Sequence, residues 1–306
     1  MEKEIYRRQV TLLLHVLPEI AKELDFVLHG GTAINLFIRD MPRLSVDVDL
    51  TYTHIEDRAT SLKNIATALL SIKKRIDSLL PNAQVVHKEK EGKLLITVPG
   101  ASVKLEVNLT NRGILGEPVN LSLCDKAQNE FDAFCTANIV PIGQLFGGKI
   151  CAALARQHPR DLFDVKYLLA NEGFSAQVKE GFLMLLLSSD RPIHEILNPH
   201  LQDQRSALAN QFAGMTDEDF SYEEYERIRN ELIKTIQKNL TEYDKQFLLS
   251  VKNLTPDWSI YHFERFPAIQ WKLKNLQQLR DTNPEKHLAQ YHNLETLFGS
   301  PPYGYN

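Results

Sequence analysis

The chain has 306 residues, 43% hydrophobic and 24% charged, enough for one large globular domain or two medium ones with a sizeable core. Its formal charge of −4 excludes attraction of nucleic acid by the surface as a whole, so any such binding must use local basic patches. Three cysteines, Cys124, Cys135 and Cys151, form no CxxC pair, which argues against a structural zinc site and fits a reducing compartment.

In the opening stretch MEKEIYRRQVTLLLHVLPEIAKEL the apolar run is only about five residues, too short for a signal peptide. Nowhere does a run approach the roughly 20 apolar residues of a membrane helix, so a cytoplasmic protein without membrane contact is expected. Leu12, Val16, Ile20 and Leu24, with Leu13 and Leu17, repeat at helical spacing and predict an amphipathic helix. FVLH (26–29) reads as a short buried strand broken by Gly30-Gly31, after which residues 32–38 look helical. RLSVDVDLTY (43–52) alternates, with Leu44, Val46, Val48 and Leu50 on one face and Ser45, Asp47, Asp49 and Thr51 on the other. A helix over 59–80 and the strand-like runs AQVVHKE, KLLITVPG and ASVKLEVNLT follow. A loop then leads through FCTANIVPI to a helix over about 142–157, which Pro159 ends before RDLFDVKYLLA starts the next. Beyond residue 173 the signals are helical, over 176–188, 202–213, 218–238, 241–252 and 284–298. The expected architecture is α+β, a mixed sheet flanked by helices over 1–172 followed by a helical domain over 173–306.

Asp47 and Asp49 stand at i and i+2 of a strand, so their carboxylates point the same way, about 6.6 Å apart at Cα. Two such groups can converge on one hard divalent cation, and Mg²⁺ favours sparse carboxylate ligation completed by substrate phosphates. A bare DxD also reads as a solvated strand face, and it occurs in glycosyltransferases. Gly30-Gly31-Thr32, between a strand and a helix, lets backbone approach a ligand while helix amides attract phosphate; the plain alternative is a tight turn. Ser45 shares the carboxylate face and suits a phosphate contact. Glu106, on the polar face of a later strand, is a candidate third carboxylate for a two-metal site, or else part of an exposed Lys104–Glu106 face. Lys149 shares a helical face with Ala153 and Arg156, and Asp161 and Asp164 can orient either cation or form structural salt bridges. Residues 143–149 match GxxxxGK, but Ile150 replaces the Ser or Thr that would hold Mg²⁺, and Ile142, Leu145 and Phe146 look helical rather than cradle-like. Lys73, Lys74, Arg75, Lys272, Lys274 and Arg280 read as solvated helix faces first and as contacts to a nucleic-acid backbone second.

Taken together, HGGTAINLFIRDMPRLSVDVDL, KLEVN and IGQLFGGKICAALARQHPRDLFDVKYLL resemble the AbiEii-type nucleotidyltransferase toxins, relatives of the MenT toxins within the polymerase-β-like superfamily. The resemblance covers the first 170 residues or so and implies that superfamily's mixed sheet. It implies the toxin half of a toxin–antitoxin or phage-defence module, restrained by a cognate antitoxin. The implied reaction is Mg²⁺-dependent transfer, with Mn²⁺ as a substitute, of NMP from an NTP to RNA, in particular the tRNA 3′ end, which stops translation. By the same resemblance Gly30, Gly31 and Ser45 would hold the triphosphate and Asp47 and Asp49 the metal. Lys149 would face the phosphates and Asp161 would complete the site, with Glu106 as a provisional third metal ligand. The usual superfamily Gly-Ser pair is Gly30-Gly31 here. Alternatives left open are a small-molecule or protein acceptor, and a catalytically idle module that binds RNA or a partner.

Overall fold

The computed structural model describes residues 2–299. Helix α1 (Glu2–Ala21) buries Leu13, Val16, Leu17 and Ile20 as their spacing predicts. It stops short of Leu24, which is exposed on the turn into β1 (Phe26–His29). At Gly30 the chain passes straight into α2 (Gly30–Ala33), which runs on as a π-helical turn over Ile34–Ile38.

Strand β2 (Asp47–Tyr52) starts later than the alternation from Arg43 predicts. The Leu44 N–H donates to the Met215 carbonyl at 2.7 Å, and the Thr216 hydroxyl donates to the Pro42 carbonyl at 2.8 Å. Residues 42–44 thus spend their backbone groups on the carboxy-terminal half instead of a neighbouring strand, though Leu44 is still buried.

Helix α3 (Arg58–Leu79) is capped by Asp57, whose carboxylate accepts from the amides of Ala59 and Thr60. Strands β3 (Gln84–Lys88), β4 (Lys93–Val98) and β5 (Ala101–Val107) form an antiparallel meander. The stretch read as a loop holds β6 (Val119–Ser122), α4 (Asp125–Phe131) and β7 (Thr136–Ile139), elements too short to display a period of their own. Helices α5 (Ile142–Arg156) and α6 (Pro159–Ala170) follow, with Pro159 at the start of α6, where its missing N–H costs nothing. The sheet order is β3-β4-β5-β2-β1-β7-β6, with β2–β5 and β1–β7 parallel and the other pairs antiparallel, a mixed sheet as expected.

The carboxy-terminal half is helical: α7 (Ala176–Leu187), α8 (Ile193–Leu197), α9 (Arg205–Ala207) with a π-helical turn over Leu208–Phe212, α10 (Tyr222–Asn239), α11 (Glu242–Lys252), α12 (Pro267–Thr282) and α13 (Pro284–Leu297). Helix α12 escapes the sequence pattern because Lys272 takes a buried place between Ile269 and Leu276, interrupting the apolar stripe.

One apolar core joins the sheet, through Leu28 and Val48, to Phe146 of α5, Phe182 of α7 and Phe247 of α11. Where α5 meets α7 the backbones touch: a Cβ on Gly147 would lie 2.3 Å from the backbone of Gly181 and Phe182, and one on Gly181 would lie 2.1 Å from the Gly143 carbonyl oxygen. The GxxxxGK glycines Gly143 and Gly148 therefore sit inside a helix, where Gly143 and the intervening Gly147 serve helix packing rather than a phosphate cradle. Gly181→Ala is expected to lower stability by about 1–3 kcal/mol through overpacking, read from denaturant midpoints; an unchanged midpoint would show that the two helices separate freely.

Candidate active site

Register across the sheet assembles an acidic row. On β2, Asp49 lies opposite His29 of β1 and opposite Glu106 of β5, and Asp47 lies opposite Lys104. Partners in register share a face, so all five side chains project to one side of the sheet. Among the described residues the Asp47 and Asp49 carboxylates make no hydrogen bond or ion pair. Burial pushes Asp49 up to a pKa of about 6, helped by the Asp47 charge and opposed by Lys104 and Lys149. Burial, with Lys149 nearby, pushes His29 down to about 4, so its imidazole is neutral at pH 7; its Nδ1 is 3.2 Å from the Thr51 hydroxyl.

The glycine pair packs against this row. Gly30 has φ +73°, and a Cβ there would fall 2.4 Å from Asp49 Oδ2. Only glycine permits both the left-handed backbone and that approach of the carboxylate. A Cβ on Gly31 would lie 2.8 Å from Arg43 Nη2 and 3.1 Å from Ser45 Oγ. Thr32 Oγ1 donates to the Asp47 carbonyl at 2.5 Å and lies 3.0 Å from Ser45 Oγ. That hydroxyl fastens the start of α2 to the first residue of β2, so Gly30, Gly31, Ser45, Asp47 and Asp49 form one cluster.

Lys149 and Asp161 belong to an adjoining buried ion network. The Lys149 ammonium reaches Asp161 Oδ1 at 2.8 Å and Asp164 Oδ2 at 2.9 Å. Arg43 grips Asp164 with both arms, at 2.7 and 2.6 Å, and the Asn35 side-chain amide donates to the same carboxylate at 3.0 Å. Arg156 binds Asp161 through Nε at 2.5 Å and Nη2 at 3.0 Å. Burial works against every charge here, yet the opposite charges prevail. Lys149 is held above its ordinary pKa by Asp161 and Asp164, Asp164 is held below its own by Arg43 and Lys149, and Asp161 is held well below by Lys149 and Arg156. Three cations against two carboxylates leave one excess positive charge, and Lys149 bears on both His29 and Asp49. Arg43 links the two clusters, touching the Gly31 position on one side and Asp164 on the other.

Glu106 stands beside Asp49 in the sheet, but its carboxylate is engaged by Lys104 at 2.9 Å and Lys93 at 3.5 Å. Lys104 sits above its ordinary pKa: burial opposes its charge, and the hydrogen bond to Glu106 and the Asp47 charge outweigh it. Among the described residues no three His, Cys, Asp or Glu groups form a ready metal cluster, so the donor set on offer is the aspartate pair. That pair is unpartnered, and the Asp49 charge is penalised by burial and by the neighbouring Asp47, an arrangement that fits a hard divalent cation. From sequence Thr32 stands out only as part of the Gly30-Gly31-Thr32 turn, and His29, Asn35 and Arg43 are given no role; of these three only Arg43, four residues before Asp47 in the RLSVDVD run, carries a local signal. Of the basic residues considered for nucleic acid, Lys73 pairs with Asp77 and Arg75 with Glu23, both at 2.7 Å, whereas Lys272 is buried rather than solvated.

A family model described as nucleotidyl transferase AbiEii toxin, type IV toxin–antitoxin system, matches residues 11–275. Among solved structures the fold is similar to MenT4, a nucleotidyltransferase toxin from Mycobacterium tuberculosis H37Rv. The TM-score is 0.65 over 90% of this chain and 94% of that one, at 13% sequence identity, which speaks for the fold alone. No curated protein matches. No helix among the described residues is long and apolar enough to cross a membrane.

Proposed function

The chain belongs to the AbiEii family of nucleotidyltransferase toxins of type IV toxin–antitoxin systems, and from that premise we propose that it transfers NMP from an NTP to RNA, at the tRNA 3′ end, blocking translation. The observation that carries this reading is the pair of unpartnered carboxylates, Asp47 and Asp49, set against Gly30. The acceptor hydroxyl oxygen bonds to the α-phosphorus, the bond from that phosphorus to the bridging oxygen breaks, pyrophosphate leaves, and the hydroxyl proton passes to solvent. Asp47 and Asp49 would hold Mg²⁺, or Mn²⁺ in its place, which when bound would supply charge neutralisation at the triphosphate and lower the pKa of the attacking hydroxyl.

The chain's own residues do the rest by positioning. Amides at the start of α2, which have no acceptor earlier in the helix, and the Ser45 hydroxyl hold phosphate oxygens. Lys149 and Arg43 supply positive charge fixed in place by Asp161 and Asp164, so little reorganisation accompanies the reaction. Lys104 keeps Glu106 paired beside Asp49, and Glu106 would serve as a third metal ligand only by leaving that pair. The family implies an antitoxin partner, and a role in phage defence within the cytoplasm follows from the same reading.

The test is incubation with each α-labelled NTP, Mg²⁺ and purified tRNA, with small molecules and protein as competing acceptors. Label on the tRNA 3′ end is expected. Label on other acceptors alone would reject the RNA assignment, and growth arrest that survives Asp47→Ala with Asp49→Ala would point to an idle binding module.

A further inference from the structure

Helices of the carboxy-terminal half, with Thr110 from the segment after β5, line a cavity of about 320 Å³ that shares none of the catalytic residues named above, at the small end of the ~300–1,000 Å³ range of ligand pockets. Its lining includes Lys252, from the end of α11, and Lys272, from α12. These lysines are 4% and 7% exposed, yet neither forms an ion pair with a carboxylate among the described residues. Lys272 donates to the carbonyls of Ser189 and Arg191 at 2.5 and 2.8 Å, and Lys252 donates to the Gln290 side-chain oxygen at 2.8 Å. An ammonium carries three donors, so about one on Lys272 and two on Lys252 are left over. Two buried like charges, offset only at Lys272 by Asp190 on the cavity wall and by Glu195, neither in direct contact, are costly to keep, and an anion would relieve both.

The mouth of the cavity carries a second signal. Trp271 is 57% exposed, and Asn275 follows it one helical turn later, with His194 facing them from α8. An exposed indole beside a cationic pocket suits stacking of a planar base with its phosphate seated inside. From the two buried ammonium groups, the indole and the cavity they line, we infer that this pocket binds a nucleotide unit, base on Trp271 and phosphate on Lys252 and Lys272. The unit comes either from a free nucleotide or from an RNA strand. Burial, with Lys272 acting on Lys252, brings both lysines down to a pKa of about 8; Asp190 and Glu195 oppose this at Lys272. Both therefore still carry charge at pH 7.

The experiment uses the full chain with Trp258→Phe, so that Trp271 alone reports, and titrates AMP, adenosine, inorganic phosphate and a five-nucleotide oligoadenylate without divalent metal. Saturable quenching by AMP is expected, with adenosine at least tenfold weaker and phosphate competing. Lys252→Gln should weaken AMP binding at least tenfold, and Lys272→Met likewise if it folds. Trp271→Ala, followed by equilibrium dialysis of labelled AMP, should weaken it too. An oligonucleotide at least tenfold tighter than AMP identifies an RNA strand as the source, and equal or weaker binding identifies a free nucleotide. No saturable binding of AMP, or unchanged affinity in folded Lys252→Gln, overturns the inference. The titration involves no group transfer, so its failure is separable from failure of the proposed reaction.

Discussion

Asp49→Asn is expected to reduce nucleotide transfer by about 10²–10³-fold or more while making the metal-free protein more stable at neutral pH. The carboxylate is penalised in the folded state, with a pKa raised from 3.8 to about 6 by burial first and by Asp47 second. For a carboxyl group raised in this sense the folded state binds the proton more tightly than the unfolded state. The cost to stability is therefore absent at acid pH, where both states are protonated, grows as pH rises from about 4 to 6, and is constant above. Asparagine keeps the shape without the charge, so the gain is about 1–3 kcal/mol at pH 7. Denaturant midpoints in chelator, measured beside a labelled-NTP assay, separate the two effects. Full activity in the Asp49→Asn variant would reject the metal role, and loss of both activity and stability would make Asp49 a structural residue.

The second large effect lies in the ion network. Asp164→Asn should cost about 3–5 kcal/mol, because it leaves Arg43 and Lys149 buried without one of the two charges that balance them. Lys149→Met should behave differently. Arg43 still pairs with Asp164 and Arg156 with Asp161, so the fold keeps most of its stability while turnover falls by about 10²–10³-fold. The two variants thus predict opposite balances of melting temperature and turnover. A Lys149→Met protein with lowered stability and unchanged turnover would place Lys149 in the scaffold only.

What the sequence discloses about this site is what local geometry dictates. Alternation over two residues puts Asp47 and Asp49 on one face, and the glycine pair between a strand and a helix marks close backbone approach. The RDLFD spacing offers Asp161 and Asp164 as partners for Lys149 or Arg156, and the ion pairs with both cations form because these groups lie within two helical segments. What it conceals depends on register and on distant segments. The grip of Arg43 on Asp164 spans 121 residues. Glu106 looks free for metal in a single strand, but β4 brings Lys93 beside it, and Lys104 folds onto it from its own strand. The late start of β2 comes from backbone bonds to residues 215 and 216, and α12 is hidden by a lysine at a core position.

The most direct measurement is Mn²⁺ binding in the presence of NTP, followed by electron paramagnetic resonance, in the native chain and in Asp47→Asn with Asp49→Asn. Loss of the protein-dependent signal in the double variant, with its fold intact, is the predicted result. Undiminished Mn²⁺ binding by that variant would contradict the assignment of the metal to this pair of carboxylates.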